Sequence, residues 1–357
     1  LIIWTGFILF VLAMLALDLG VFHRKAHVVS IREALGWSAV WVTIGLLFSI
    51  FVYFGYENHW LGLGSAADAS DGLINNGRTA TIKYITGYVV EKSLSVDNIF
   101  VIAMIFSFFG VPALYQHRVL FWGVLGALVL RGAMIGVGAA LITRFHWILY
   151  VFGVFLVITG IKMLFAKAEK IHPDRNIMVR LARRFMPVTA HFHGQHFVVR
   201  AGSAESGEGI TPGSVDASPD PVVQKSSPGT LLLTPLALAL IMVETIDLVF
   251  AVDSIPAIFA ITADPFLVFT SNVFAILGLR SLYFALAGML DRFKYLKLSL
   301  SLVLMIVGLK MLFAQQLKAA VGENFNFYLL GLVFVILAAG VVVSWVEGRA
   351  NGDGKPA

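Results

Sequence analysis

The chain has 357 residues, of which 59% are hydrophobic, and it contains no cysteine. A mean hydropathy of +0.87 and several apolar runs of about twenty residues exclude a soluble globular class and indicate a polytopic membrane protein. The absence of cysteine excludes disulfides, thiolate metal sites and thiol nucleophiles. The net charge is +5, but most Lys and Arg lie between apolar runs, so a nucleic-acid partner is not needed to explain it.

The apolar runs predict an all-α fold with nine membrane spans. The spans are predicted at residues 2–22, 32–55, 82–109, 118–142, 147–166, 231–262, 266–290, 296–314 and 325–346. The first run lacks the basic start and cleavage site of a signal peptide, so it is expected to be a true span. The chain thereby divides into two N-terminal spans (1–55), a three-span unit (82–166), a connection (167–230), a second three-span unit (231–314) and a last span (325–346).

Basic residues are concentrated in alternate loops, above all in the connection from Lys167 to Lys225. The positive-inside rule therefore predicts an N-terminus outside the cytoplasm and a C-terminus within it. The first part of the connection is expected to form a short amphipathic helix along the inner leaflet and then a small β element. Residues 201–230 are rich in Gly, Ser and Pro and predict a disordered linker. The histidines of HFHGQH (191–196) fit either a transition-metal site or, as we favour, a solvated loop.

The two three-span units repeat each other in sequence. EKSLSVDNIFVIAMIF aligns with DLVFAVDSIPAIFAIT, so that Glu91 falls on Asp247 and Asn98 on Ser254. ITGIKMLF and IVGLKMLF align further on. Since the first unit is predicted to start outside and the second inside, this is an inverted repeat, an arrangement typical of secondary transporters with a site near the midplane.

Acidic side chains within the predicted spans mark the candidate site. An ionised carboxylate at the bilayer centre costs about 2.5–3.5 kcal/mol, so such groups face the bundle interior and indicate an ion pathway. The expected oxygen ligands for a hard or borderline divalent cation are Glu91, Asp97, Asn98, Glu244, Asp247, Asp253 and Ser254. Asp18 fits either a proton relay or an interfacial acid.

Two features decide how these ligands could meet. Residues six apart, such as Glu91 and Asp97, differ by about 240° on a regular helix, so one ion requires an interrupted helix or ligands from both repeats. Pro256 favours an interruption, and we expect breaks in the third and sixth spans.

The cations at depth are Lys92, Arg131 and Arg280. An alternative interpretation makes the whole set structural salt bridges, and Arg131 and Arg280 in particular are expected to hold acids or helix ends in place. Lys162 and Lys310 lie near span ends and are expected to snorkel. A phosphate-binding loop, a Ser/His/Asp arrangement and an HExxH motif are missing from the sequence, so we do not expect an enzyme or a resident cofactor.

The segments YVVEKSLSVDNIFVIAMIF (88–106) and ETIDLVFAVDSIPAIFAIT (244–262) resemble the two halves of the TerC/Alx family of integral membrane proteins. The resemblance covers nearly all of the chain except the linker near 201–230. It implies a bacterial inner-membrane protein linked to manganese export and, by name, to tellurium resistance. It also implies that Glu91, Asp97, Glu244, Asp247 and Asp253 are metal ligands.

Two function classes follow. The first is a divalent cation transporter, with Mn²⁺ export by alternating access favoured and a Ca²⁺/H⁺ exchanger as a variant. The second is a membrane scaffold that assists metal loading or a tellurite stress response through its basic loop. The expected partners are a divalent metal ion and the lipid bilayer; the sequence does not identify a protein partner.

Overall fold

The computed structural model describes residues 2–20, 30–145, 147–165, 176–203, 208–210, 217–286, 295–314, 316–317, 322 and 325–350. Its helices are α1 Ile2–Gly20, α2 Ile31–Glu57, α3 Gly77–Phe109, α4 Ala113–Arg144, α5 Ile148–Phe165, α6 Ile177–Phe185, α7 Pro221–Lys225, α8 Pro235–Ile261, α9 Pro265–Ile276, α10 Leu279–Leu286, α11 Leu296–Leu312 and α12 Phe325–Ala350, with a 3-10 turn at Trp60–Gly62. The strands are β1 Val198–Arg200, β2 Glu208–Ile210, β3 Ala217–Pro219 and β4 Leu231–Leu233.

The predicted all-α polytopic membrane fold is confirmed. Among the described residues, six stretches are long and apolar enough to cross a membrane, namely α2, α4, α5, α8, the α9–α10 pair and α12. Shorter apolar helices occur in α1 and α11. The 33-residue α3 is the most charged of the long helices and carries the predicted acidic motif. Each of the nine predicted spans therefore corresponds to a helix or helix pair.

Polar caps set the ends of the helices that build the site. Asn76 and Thr79 form a reciprocal capping box at the start of α3, and Gly110 ends the helix in the left-handed conformation. Thr234 caps α8, which begins with Pro235, where a missing N–H costs nothing. The two helices therefore begin at defined residues.

The expected breaks in the third and sixth spans are wrong, because α3 and α8 are each continuous. Pro256 lies inside α8, where it removes one backbone hydrogen bond without ending the helix. The interruption lies instead between α9 and α10, at Leu277 and Gly278. Gly278 has a φ of +81°, and a Cβ there would lie 2.6 Å from the Cβ of Trp41. The tight packing on α2 and the left-handed backbone explain why glycine stands at this position.

Equivalent helices of the two repeats pack on each other. The first helices, α3 and α8, are in contact, and so are the third helices, α5 and α11. Gly160 on α5 allows close approach, since a Cβ there would lie 2.8 Å from the Ser301 carbonyl on α11. The cross-contacts of α4 with α8 and of α3 with α9 are also paired. This pairing is the one expected if a two-fold relation joins the units, as the sequence repeat predicts.

The described residues of the range 201–230 do not form the disordered linker that the composition predicts. β1 pairs antiparallel with β4, and β2 with β3. Val199, Ala201 and Leu232 form a small apolar cluster against Val223 of α7. The composition of residues 201–230 was misleading because β1 pairs with Leu231–Leu233, which lies outside that range and whose apolar sequence predicts the start of a span. Residues 204–207 and 211–216 lie outside the described part of the chain.

Candidate functional site

A buried arginine gathers carboxylates from both repeats. Arg131 on α4 donates from Nη2 to Asp247 Oδ1 at 3.0 Å and from Nε to Asp247 Oδ2 at 3.2 Å. Its Nη1 contacts Glu91 Oε1 and lies 3.3 Å from the Ser254 hydroxyl. Asn98 donates to Asp247 Oδ1 at 3.3 Å. We call these five residues the arginine cluster, and all five are buried.

The arginine cluster corrects one sequence expectation and agrees with two others. Glu91 and Asn98 come from α3, while Asp247 and Ser254 come from the aligned positions of α8. Ligand candidates from both repeats therefore meet without a broken helix. Arg131 contacts Glu91 and Asp247, as expected of a residue that holds acidic side chains in place.

Several oxygens beside Arg131 have spare bonding capacity. Within the described residues, Glu91 Oε2, Asn98 Oδ1 and the Ser95 hydroxyl are buried without a hydrogen-bond partner. Glu91, Ser95 and Asn98 are spaced i, i+4 and i+7, so they share one face of α3. Sequence reasoning missed Ser95, although this spacing from Glu91 was its signal. Buried acceptors left in this state suit a cation or a proton.

The other predicted acids lie outside the arginine cluster. Asp97 is half-buried. Asp253 Oδ1 accepts a hydrogen bond of 3.4 Å from Thr159 on α5. The carboxylate of Glu244 packs against Gly126 on α4, in the space that a side chain at that position would fill. The side chain of Asp18 lies outside the part of the chain that the structure describes. The seven predicted ligands are thus distributed over more than one place.

Lys92 and Arg280 are associated with the helix break. Lys92 Nζ donates to the carbonyl oxygens of Ala275 at 3.0 Å and of Leu277 at 3.3 Å, which are left free where α9 ends. Arg280 is buried and, with Trp41, lines a small cavity beside the break. Because Lys92 follows Glu91 in α3, the arginine cluster and the break are linked through adjacent residues.

A metal site is not preformed in this conformation: within the described ranges, His, Asp and Glu side chains do not assemble in groups of three or more that could hold an ion. The metal-ligand role of the seven residues therefore stays a prediction. The arrangement brings two carboxylates together around one guanidinium, so the arginine cluster carries a net negative charge when both acids are ionised.

A second polar network, which the sequence analysis missed, lies at the C-terminal end of α8. Lys83 Nζ contacts Asp68 Oδ2 at 2.9 Å and Asp71 Oδ2 at 2.8 Å. Asp68 also accepts hydrogen bonds from the Thr262 hydroxyl and from the Ala263 amide. We call this set the Asp68 network. Burial opposes ionisation of Asp68, but the charge of Lys83 and these hydrogen bonds hold its pKa well below the usual range.

Lys310 does not snorkel, in contrast to the expectation. It is buried, and its Nζ donates to the Ala260 carbonyl at 2.5 Å and more weakly to that of Ile261. The free carbonyls at the end of α8 attract it inward. Lys162, by comparison, is exposed.

The histidine segment (191–196) makes buried, hydrogen-bonded contacts and is not the solvated loop that we favoured from the sequence. His193 is buried, and its Nε2 lies 3.3 Å from Asp220 Oδ2. The backbone N–H groups of His191, Val222 and Val223 also donate to Asp220. Burial opposes ionisation, but these donors lower the pKa of Asp220. Asp220 therefore joins the histidine segment to α7.

Comparisons with known proteins agree with the fold. The model of the integral membrane protein TerC family matches residues 76–351. The chain is 47% identical to an uncharacterized membrane protein of Myxococcus xanthus, over 97% of this chain and 93% of that one. It is 42% identical to a Salmonella typhi protein named "Putative membrane-bound redox modulator Alx", over 98% and 96% of the two chains. The Escherichia coli K12 protein of that name is 41% identical over the same shares. The comparison with solved structures gave no significant match.

Proposed function

The chain belongs to the TerC family of integral membrane proteins, and from this premise we propose that it transports a divalent cation, with Mn²⁺ exported from the cytoplasm as the favoured substrate. The observation that carries the proposal is the arginine cluster. Two buried carboxylates from aligned positions of the repeats share one guanidinium, and buried oxygens of Glu91, Ser95 and Asn98 retain unused acceptor capacity. Such oxygens are the ligands that Mn²⁺, Ca²⁺ and Mg²⁺ take in proteins.

In this proposal the guanidinium of Arg131 occupies the place of the substrate cation while no metal is bound. In that state the guanidinium neutralises one of the two carboxylate charges. A divalent ion that enters brings more charge than the guanidinium and displaces it from Glu91 and Asp247. When the ion leaves, Arg131 returns, so the site is never left with two unpaired buried carboxylates, which would be costly.

Asymmetry between the repeats supports alternating access. Arg131 of the first unit contacts the acids, whereas its aligned counterpart Arg280 lines the cavity at the helix break. The two related arginines are therefore placed differently in this conformation, one in the arginine cluster and one at the helix break. An exchange between two such asymmetric states is the motion that inverted repeats support.

The proposed orientation follows from charge. The basic residues of α6, Arg180, Arg183 and Arg184, lie at the end of the bundle where α8 begins, and the Asp68 network lies at the other end. The positive-inside rule assigns the α6 end to the cytoplasm of a bacterial inner membrane. A substrate ion leaving the cytoplasm would then pass from the α6 end to the Asp68 network.

The test is Mn²⁺ flux into liposomes that contain the purified full chain, with Ca²⁺ and Mg²⁺ as competitors. Glu91→Gln and Asp247→Asn should each abolish flux, since each removes a charged ligand. Glu57→Gln is the matched control, because Glu57 is an exposed carboxylate. It accepts a hydrogen bond from the Gly77 amide, and the side-chain oxygen of glutamine can accept the same bond. Asp97→Asn and Asp253→Asn test whether the remaining predicted ligands belong to the pathway.

A folded wild-type protein that moves none of the three ions would overturn the transport proposal for these ions. Unchanged flux in both Glu91→Gln and Asp247→Asn would remove the arginine cluster from the pathway. Flux of Ca²⁺ in preference to Mn²⁺ would retain the mechanism and replace the substrate.

A scaffold function is the second candidate, and the described residues of the range 187–233 favour it, because β1, β4 and the His193–Asp220 contact form folded structure outside the spans. Asp220→Ala should dismantle this structure. If the protein is a transporter, Asp220→Ala should retain Mn²⁺ flux. If it is a scaffold, cells that carry Asp220→Ala should lose the wild-type phenotype, whereas cells that carry Glu91→Gln or Asp247→Asn should keep it.

A further inference from the structure

Helix α6 has three distinct faces. Its exposed apolar side chains are Ile177, Met178, Leu181 and Phe185, and at 100° per residue they occupy a sector about 100° wide. Val179 and Ala182 occupy a second sector. Arg180, Arg183 and Arg184 occupy the third, which is also about 100° wide and adjoins the exposed apolar one.

The second face attaches α6 to the membrane bundle. Val179 is completely buried and belongs to the same apolar cluster as Leu233, Leu236 and Tyr115, which lie at the starts of α8 and α4. Asn176 caps the helix by accepting from the amides of Met178 and Val179. The backbone N–H of Leu233, just before α8, donates to the carbonyl of Pro187, just after α6, so the helix is fixed at the level where α8 begins, which is the edge of the hydrocarbon region.

The apolar face is open in the described part of the chain. Ile177 is 74% exposed and Phe185 is 75% exposed, and Met178 and Leu181 are also exposed. A nine-residue helix that keeps four large apolar side chains uncovered at the edge of a bilayer has lipid acyl chains as its nearest apolar medium.

We propose that α6 lies in the membrane interface, with its apolar face inserted among acyl chains and its arginines bound to the phosphates of anionic phospholipids. The exposed Arg180 and Arg184 lie along one side of the apolar sector, where headgroups would be. A second copy of the chain fits this surface less well, because two α6 helices in contact would bring like-charged arginine rows together. An acidic bilayer surface satisfies both faces at once.

The test uses the absence of cysteine, which allows one spin label per chain. The label is placed by Phe185→Cys in the full chain, in nanodiscs with or without phosphatidylglycerol. Val249→Cys, on an exposed position of α8, gives the lipid reference, and Lys225→Cys on α7 gives the water reference. Accessibility to oxygen and to a water-soluble nickel complex reports whether each label faces lipid or water.

The label at Phe185 should match the lipid reference when phosphatidylglycerol is present. Arg180→Gln and Arg184→Gln should each lower the ratio of lipid-facing to water-facing label about fivefold, since one basic residue near an anionic surface contributes that much. Arg200→Gln, an exposed arginine on β1, is the matched control and should leave the ratio unchanged.

Two results would overturn the proposal. A label that matches the water reference in both kinds of nanodisc would show that α6 leaves its apolar face in solvent. A label that neither reagent reaches would show that protein, such as a second copy, covers this face. Lipid-facing labels that respond equally to Arg180→Gln and Arg200→Gln would remove the specific role of the arginines.

Discussion

Lys83 Nζ lies 2.9 Å from Asp68 Oδ2, and both side chains are almost completely buried. This ion pair joins the start of α3 to the loop that precedes it. The same carboxylate accepts a hydrogen bond of 2.5 Å from Thr262, at the end of α8. Because α3 and α8 also supply the carboxylates of the arginine cluster, the Asp68 network fixes the relative position of the two helices that carry the proposed ligands.

Removing the charge of Asp68 should therefore destabilise the protein. Asp68→Asn leaves the Lys83 ammonium buried without this partner, and breaking a buried pair in this way typically costs about 3–5 kcal/mol. The loss should appear as a lower thermal unfolding midpoint in detergent. Glu57→Gln, which changes an exposed carboxylate on the neighbouring α2, should unfold like the wild type. Equal midpoints for Asp68→Asn and the wild type would show that Asp71 and the Asn75 side-chain oxygen suffice to compensate Lys83.

The contribution of Asp68 should also depend on pH. The folded-state pKa of Asp68 lies below the value of about 3.9 for an unfolded aspartate, so its stabilisation is complete above that value and is lost as the pH falls toward the folded-state pKa. The stability difference between wild type and Asp68→Asn should thus be constant near neutral pH and shrink below about pH 4.

The wild type has to be compared with Asp68→Asn, because the pKa of Asp264 is shifted in the opposite direction to that of Asp68. Burial raises the pKa of Asp264, so its own contribution weakens as the pH rises. The comparison cancels the part of this background that comes from burial, whereas the part that comes from the Asp68 charge, which also raises the pKa of Asp264, is removed in the variant. A wild-type to Asp68→Asn difference that shrank on raising the pH from 5 to 8 would contradict the assignment of the effect to Asp68.

Sequence patterns located the spans and all five residues of the arginine cluster, because apolar runs and intramembrane charges are strong signals. Glu91, Asp247 and Arg131 stand out in any hydropathy plot. The same patterns did not reveal the Asp68 network, since Asp68 and Asp71 lie in a polar loop that looks solvated until α8 ends beside it. Loop acids become informative only when the tertiary structure buries them.

The helix break and the position of Lys310 were missed for related reasons. Pro256 is a visible helix breaker, yet α8 continues through it, while the real break depends on the packing of Gly278 against Trp41 on another helix. Lys310 lies near a span end, which favours snorkelling, but free carbonyls of α8 are closer than water. Both outcomes depend on contacts between helices, and a single sequence does not contain those contacts.

Gly278→Ala should destabilise the protein, because it strains the turn that separates α9 from α10. The left-handed backbone, with φ +81°, and the 2.6 Å approach to the Trp41 Cβ both oppose a side chain here. Backbone strain of this kind costs about 1–3 kcal/mol before the steric clash is added. Gly331→Ala in α12 is the matched control, because a Cβ there meets nothing within 4 Å and alanine favours helix. Thermal unfolding of the two variants in one detergent distinguishes them, and similar midpoints would contradict this account of the break.

Arg131→Met tests the proposed replacement of substrate by guanidinium. The variant leaves Glu91 and Asp247 without their shared cation, so we expect a loss of stability of about 3–5 kcal/mol without metal. Added Mn²⁺ should then raise the unfolding midpoint of Arg131→Met more than that of the wild type, because the ion no longer competes with an arginine and ligand binding to the folded state stabilises it. Arg131→Lys retains the charge without the two-pronged contact to Asp247 and should respond between the two. A smaller Mn²⁺ response in Arg131→Met than in the wild type would mean that Arg131 helps to bind the substrate ion or to build its site, and the displacement mechanism would have to be abandoned.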